Sequence, residues 1–456
     1  DGNYPTGTDN VAMGDTALDS VEAGGINNVA IGDHAGTAIT TGDCNVAVGK
    51  SALEATTTAS DNVAIGFRAL CTNTTGYSNI SIGSYSSDAN TEGFENIAIG
   101  VSSLGANTTG DCNVGVGRNA LRSNTTAGDN TAIGTNALCS NTTGCINVAV
   151  GEDAMKANTT GEFNAAMGSG AMQTNTTGGE NTGSGYNALA LNTTGCKNSA
   201  FGKSSLESNT TADCNTAVGY NALKANTTGT ENTAVGSGAL DSNTTAGCNT
   251  SIGHGSMGDN TEGANNAAVG RSALGSNTTG TSNVAMGRNS LTLNTTATGN
   301  TATGAFSLNA NTTGATNVGV GWQALTANTT GASNTAVGAL ALLANTTGVQ
   351  NTAVGKGSLD SVTTANNNTA IGEGSGSGIT TGAGNTTMGY SAGSQITDGS
   401  CNILIGYNAQ LSSNSTNRIG LGNGISVSAN DQFRFGQGST DVVFNQFATN
   451  ASFTRV

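Results

Sequence analysis

A five-residue unit that opens with Asn and closes with Gly, usually around Ala and a Val or Ile, returns at every seventeenth position from Asn28 to Asn402 without slippage, which makes 23 copies. A further copy at Asn10, set one residue further from Asn28 than the period, brings the number to 24. The full repeat reads N-[TV]-A-[VI]-G-x-x-[AS]-L-x-x-N-T-T-G-x-x, and its positions are counted from one to seventeen from the first Asn; residues 215–231 are a typical instance. So strict a register leaves no room for a globular insert between residues 10 and 406. Helical-hairpin repeats run to about 33 residues or more, and Asn, Thr and Gly are poor helix formers. Short runs of Val, Ile and Thr punctuated by Gly predict an all-β parallel β-solenoid with one repeat per coil.

Substitutions between repeats indicate which way each position faces. The fourth is Val, Ile, Met or Phe almost throughout, with Ser184 and Thr303 the departures, and is expected to point into the core. The ninth is usually Leu and is expected to do the same. At the twelfth, Asn in the middle repeats becomes Ile39, Val362, Ile379 and Ile396 toward the ends, and where Ile appears the ninth shrinks to Gly36, Gly376 or Gly393. That exchange places both inside and predicts a buried ladder of Asn amides bonding coil to coil. The fourteenth admits Glu92, Glu262 and Asp398 and is expected outward. Glycine at the fifth in all 24 copies predicts a corner that needs positive φ or close backbone contact. The third position is a nearly continuous rank of Ala, Gly or Ser, which suits close approach of a sister chain or the filling of a narrow single-chain core.

Composition narrows the function. The chain has 456 residues with 69 Gly, one Pro, 4% aromatics and 9% charged residues. A conventional catalytic domain of this length would carry a broader aromatic and aliphatic core, and a disordered chain would carry more charge. A net charge of −15 repels phosphate backbones and anionic lipid, so no nucleic acid partner and no membrane insertion is expected. No run of about 18 apolar residues exists to span a bilayer. The chain opens at Asp1 without Met or a signal segment, as a processed or partial product would. Because each coil offers only about two large apolar side chains against the ordering entropy of the whole repeat, burial against sister chains is expected, and a homotrimer is the favoured assembly.

The organisation expected is a lead-in at 1–9, a solenoid shaft at 10–406 and a trimer-locking neck at 407–456. After Gly406 the period fails, and five of the ten Phe residues (Phe433, Phe435, Phe444, Phe447, Phe453) fall in the last 24 positions. The pentads Asn62-Val63-Ala64-Ile65-Gly66 and Asn215-Thr216-Ala217-Val218-Gly219 resemble the repeats of trimeric autotransporter adhesin heads, which implies parallel β-rolls in homotrimers. The tail segments Asp431-Gln432-Phe433-Arg434-Phe435-Gly436 and Ala451-Ser452-Phe453-Thr454-Arg455-Val456 resemble the neck just before the self-cleaving intramolecular chaperone of phage tail fibres and tailspikes. That resemblance implies that Val456 is the terminus left by chaperone release.

Candidates for chemistry are few. His34 and His254 occupy different positions far apart in the stack, outside any catalytic-triad or metal-ligand spacing. Glu162 and Glu180 could pair across coils for glycan hydrolysis, but acids at the last two positions read better as a solvated edge. Among nine cysteines, Cys139 and Cys145 are the one plausible intrachain pair. Fifteen Asn-Thr-Thr triplets at the twelfth position match the N-glycosylation sequon, yet an inward position cannot carry a glycan; Asn414 and Asn450 are the better candidates. Thr stands at the thirteenth in every repeat from Thr40 to Thr397, an outward edge by the ordinary reading and a water-ordering rank by an ice-binding one. No catalytic residue, metal or cofactor is assigned. The sequence favours a non-enzymatic shaft of a viral tail fibre, an extracellular virion appendage whose partners are its own copies, baseplate or other fibre proteins, and a host surface glycan or protein, with exposed Trp322 the receptor-binding candidate. A cellular surface adhesin or filament and an ice-binding solenoid are the alternatives.

Overall fold

A computed structural model describes residues 7–412, 416–428 and 430–438, with the backbone alone of 441–446. Two compact units, Asp1–Thr230 and Glu231–Val456, make up the chain. Both are all-β parallel solenoids whose coils match the sequence repeat one for one, about 25 coils in the chain, and the described residues contain no helix. The first unit holds thirteen three-residue strands, from Val11–Met13 to Thr216–Val218, and the second continues the pattern from Thr233–Val235. Pairing between successive coils is parallel and keeps the register of the repeat, as in Val148↔Ala165 and Ala149↔Ala166.

The coil at 147–163 shows how the repeat closes. In the strand Val148–Val150 the central Ala149 is buried and both neighbours are exposed. Ala154 and Met155 are buried at positions eight and nine, and Asn147 and Asn158 at one and twelve. A β-strand alternates its faces with a period of two, so burying position three sends two and four outward. This corrects the expectation for the fourth position: its aliphatic side chains face out of the chain, and the small residues of the third fill the core. In most coils there is little room there, and at Gly115 an added Cβ would meet the Ser103 hydroxyl oxygen at 2.5 Å; only near the end of the stack do branched side chains, Thr387 and Leu404, occupy the position, both fully buried.

The polar core runs in two amide ladders. At the twelfth position Asn158 Nδ2 donates to Asn141 Oδ1 of the preceding coil (2.8 Å) and to Gly161 O of its own (3.0 Å), while Asn158 Oδ1 accepts from Asn175 (2.9 Å). The first position makes a second ladder: Asn147 Oδ1 accepts the backbone N–H of Asn164 (3.0 Å), and Asn147 Nδ2 donates to the same Gly161 carbonyl (2.9 Å). One carbonyl with two lone pairs thereby anchors both amides of its coil. The predicted exchange of Ile for Asn also holds, since a Cβ on Gly36, Gly376 or Gly393 would lie 3.0 to 3.2 Å from the Cδ1 of Ile39, Ile379 or Ile396.

Chain reversal uses left-handed backbone. Gly151 at the fifth position has φ of 135°, and a Cβ there would stand 2.6 Å from the carbonyl of Gly168 in the next coil, so both reasons for an invariant glycine apply. The ninth position is left-handed too, with φ of 51° at Leu104 and 49° at Met155. β-branched residues are disfavoured in that region; among the described residues Thr16, Ile146 and Thr316 adopt it elsewhere in the coil, but no Val, Ile or Thr stands at the ninth position of any repeat. That is why Ile enters at the twelfth and never at the ninth.

Beyond Gly406 the coil shortens while the parallel pairing goes on. Ile403 pairs with Ile419, a step one residue shorter than the repeat, and Ile419 pairs with Phe433, a shorter step again. The strand Gln432–Gln437 then turns back through an antiparallel partner, Asp441–Gln446. Phe433 and Phe435 fall on the outward positions two and four, and Phe435 is exposed. The side chain of Phe444, and Asn414, Phe447, Asn450, Phe453 and the proposed terminus Val456, lie outside the described residues.

Candidate interaction surface

The outward face of each strand carries the largest apolar surface. At position four Ile99, Ile133, Met167 and Phe201 in the first unit, and Ile252 and Met286 in the second, are all exposed. Position two adds Val, Ile and Thr beside them. With coils about 4.8 Å apart, the rank in the first unit runs roughly 55 Å. Soluble monomers seldom expose contiguous apolar surface on that scale, which marks an interaction site.

Past the Gly corner, position six presents chemically varied side chains. Two pairs of opposite charges meet there across neighbouring coils: Asp33 and Lys50 at 3.0 Å, and Lys356 and Glu373 at 3.7 Å. The hydrogen bond from Lys50 holds the Asp33 carboxyl below the usual range. Aromatic residues stack on the same rank, Tyr390 on Tyr407 with ring centroids 5.3 Å apart. Lys203 sits between the rings of Tyr186 and Tyr220, 5.8 and 5.9 Å from their centroids. Trp322 also stands at position six and is exposed. Arg288, two coils before it, lies 4.8 Å over the ring of Phe306. These are cation–π distances, each worth about 0.5–1 kcal/mol at exposed sites.

The remaining candidates fall apart as a site. His34 is hydrogen-bonded to Asp33 at 2.6 Å on the surface, and His254 stands exposed in the other unit. Glu162 and Glu180 are exposed on neighbouring coils whose backbones bond at 3.0 Å. All nine cysteines are free thiols, Cys139 and Cys145 among them. Burial pushes the thiols of Cys71 and Cys112 up, and the hydrogen bond to Glu231 does the same for Cys248, so these are not activated thiolates. The twelfth-position asparagines are buried and both amide hydrogens are used, so the sequons they head offer no accessible acceptor. Thr hydroxyls at the thirteenth position donate to the carbonyl of the Thr one coil on, at 2.9 to 3.3 Å, and so are engaged in the fold.

Sequence reasoning missed the first-position ladder. Its signal was present, because Asn opens all 24 repeats while every other polar position admits substitutes. A scan against protein-family models and a search of curated proteins return no match.

Proposed function

We propose that this chain is the shaft of a viral tail fibre or tailspike-like appendage, assembled as a homotrimer, that holds out or itself forms a host-attachment surface. The outward apolar rank at position four carries this reading. Another copy of the same chain has the same coil spacing, so its rank matches coil for coil, whereas an unrelated partner would have to reproduce the period. Three-fold closure sets position two of one chain against position four of the next, a heterologous contact that closes into a ring, and Phe433 and Phe435 extend both ranks to the final coils. The resemblance of the tail to fibre necks that precede a self-cleaving chaperone supports the viral assignment. The open placement of Glu162 and Glu180 favours a non-enzymatic role, with attachment to baseplate or other fibre proteins at one end and to a host glycan or protein along or beyond the shaft.

Light scattering of the purified chain at low concentration tests the assembly. We expect three chains for the wild type, and one chain with an unchanged far-UV spectrum for Ile99→Glu/Ile133→Glu, since these side chains are outward within the chain. A single-chain wild type overturns the reading. Sequencing beyond codon 456 separates the fibre, which calls for a chaperone there, from a cellular adhesin, which calls for a β-barrel anchor.

A further inference from the structure

In the unit 231–456, position six carries His254, Arg271 and Arg288 on three consecutive coils, with Phe306 on the next at position seven and Trp322 on the one after at position six. His254, Arg271, Arg288 and Trp322 are exposed. Backbone bonds of 3.0 Å from Ser272, Asn289 and Phe306 to the carbonyls of His254, Arg271 and Arg288 hold the ridge at ladder spacing, about 4.8 Å per step. Like charges on adjacent strands repel, and at two places on this rank neighbouring charges are opposite and paired, Asp33–Lys50 and Lys356–Glu373. Here, among the described residues, no carboxylate pairs with His254, Arg271 or Arg288. Arg288 is steadied over the ring of Phe306, a contact that fixes a guanidinium while leaving its N–H donors unspent.

We propose that this ridge binds an acidic polysaccharide of the uronate type, its carboxylates on Arg271 and Arg288 and a sugar ring face on Trp322; the inference deepens the attachment reading and rests on it. Planar carboxylates suit the bidentate fork of Arg, and an indole face suits the apolar face of a sugar ring. Peptides are recognised through open strand edges or grooves, and at this corner the backbone groups of neighbouring coils already bond one another. A net charge of −15 over the chain opposes a long polyphosphate, while a short cationic ridge is enough for spaced carboxylates.

Trp322 is the one tryptophan of the chain, so its fluorescence reports the ridge directly. The full chain is titrated with polygalacturonate, with neutral dextran and with duplex DNA, and retention in polygalacturonate-containing native gels is measured alongside. A saturable response to polygalacturonate is expected. It should weaken about tenfold in Arg271→Ser/Arg288→Ser, as for charge-assisted bonds at an exposed site, and fall with added salt; dextran should give none. Serine already occupies position six at Ser84, Ser169 and Ser237, so the variant keeps its fold, which far-UV dichroism verifies. Absence of both response and retention, an equal response in the variant, or duplex DNA binding as tightly as the polysaccharide overturns the proposal. The readout does not depend on assembly. Failure here with a three-chain mass leaves the fibre reading standing, and a binding ridge on a single chain overturns the fibre reading alone.

Discussion

The regular coils and the last two coils solve the same problem with different side chains. In the regular coils position one is Asn, which accepts from the next coil and donates to its own, so each coil hands an unfilled acceptor to its successor. At the end of the stack Arg418 takes that position. Its backbone N–H still donates to Asn402 Oδ1 at 3.1 Å, and its Nη1 donates to Val427 O at 2.7 Å, but a guanidinium has no acceptor to pass on. One coil later Arg434 occupies the inward position three, buried where Ala stands elsewhere, and its Nη1 donates to Ser426 O. The amide relay stops at Arg418, although parallel pairing runs on for one more coil. Burial lowers the Arg418 pKa, yet Arg stays charged, and the Val427 carbonyl receives its Nη1.

The largest effect should come from breaking the relay in mid-stack. Asn158→Asp removes both donors and sets a carboxylate against Gly161 O and Asn141 Oδ1, a buried unpaired charge costing about 3 kcal/mol or more. Denaturant unfolding should show a clear drop in stability for this variant, and an unchanged midpoint would mean the ladder carries no weight. Arg418→Ala should be milder and local. It leaves the Val427 carbonyl without this donor, a loss of about 2 kcal/mol, and because each coil of a solenoid touches only its neighbours, hydrogen exchange should quicken after residue 402 and stay slow in the coils before 390. Acceleration throughout the unit would show that the terminal cap governs more than its own end. The smallest effect is at the ninth position, where the regular coils need a left-handed residue and the last coils, with Gln410 and Ser426 in strands, do not. Leu104→Ile should cost about 1–3 kcal/mol through backbone strain, against less than about 1.5 kcal/mol for Leu104→Met, the residue found at Met155, Met172 and Met257. Equal stabilities for the two variants would remove the backbone explanation for the missing β-branched residues.

Much of the fold was legible before any coordinate. The strict register of the repeat and the invariant fifth glycine report contacts that each coil makes with the next, and the covariation of Gly36 with Ile39 a contact inside one coil, so repetition supplied in one chain the comparisons that usually need many. Direction at the fourth position was not legible. Val or Ile there is equally suited to a core or to an interface between chains, because apolarity records removal from water and not what removes it. The tertiary structure decided the matter through width: with Met155 and Asn158 filling the coil, the strand has room inward for Ala149 alone, and Val148 and Val150 must face out. The candidate surface was harder still to read. Trp322 could be singled out as an outlier at a freely varying position, but the ridge it ends joins residues a full repeat or more apart in sequence, and only coil stacking brings His254, Arg271 and Arg288 into one line. The sequence by itself determined the period, the twelfth-position asparagine ladder and the place where the period fails. Which side of the strand meets the core, and which cations stand together without a counter-charge, were settled only when the backbone closed each coil upon the last.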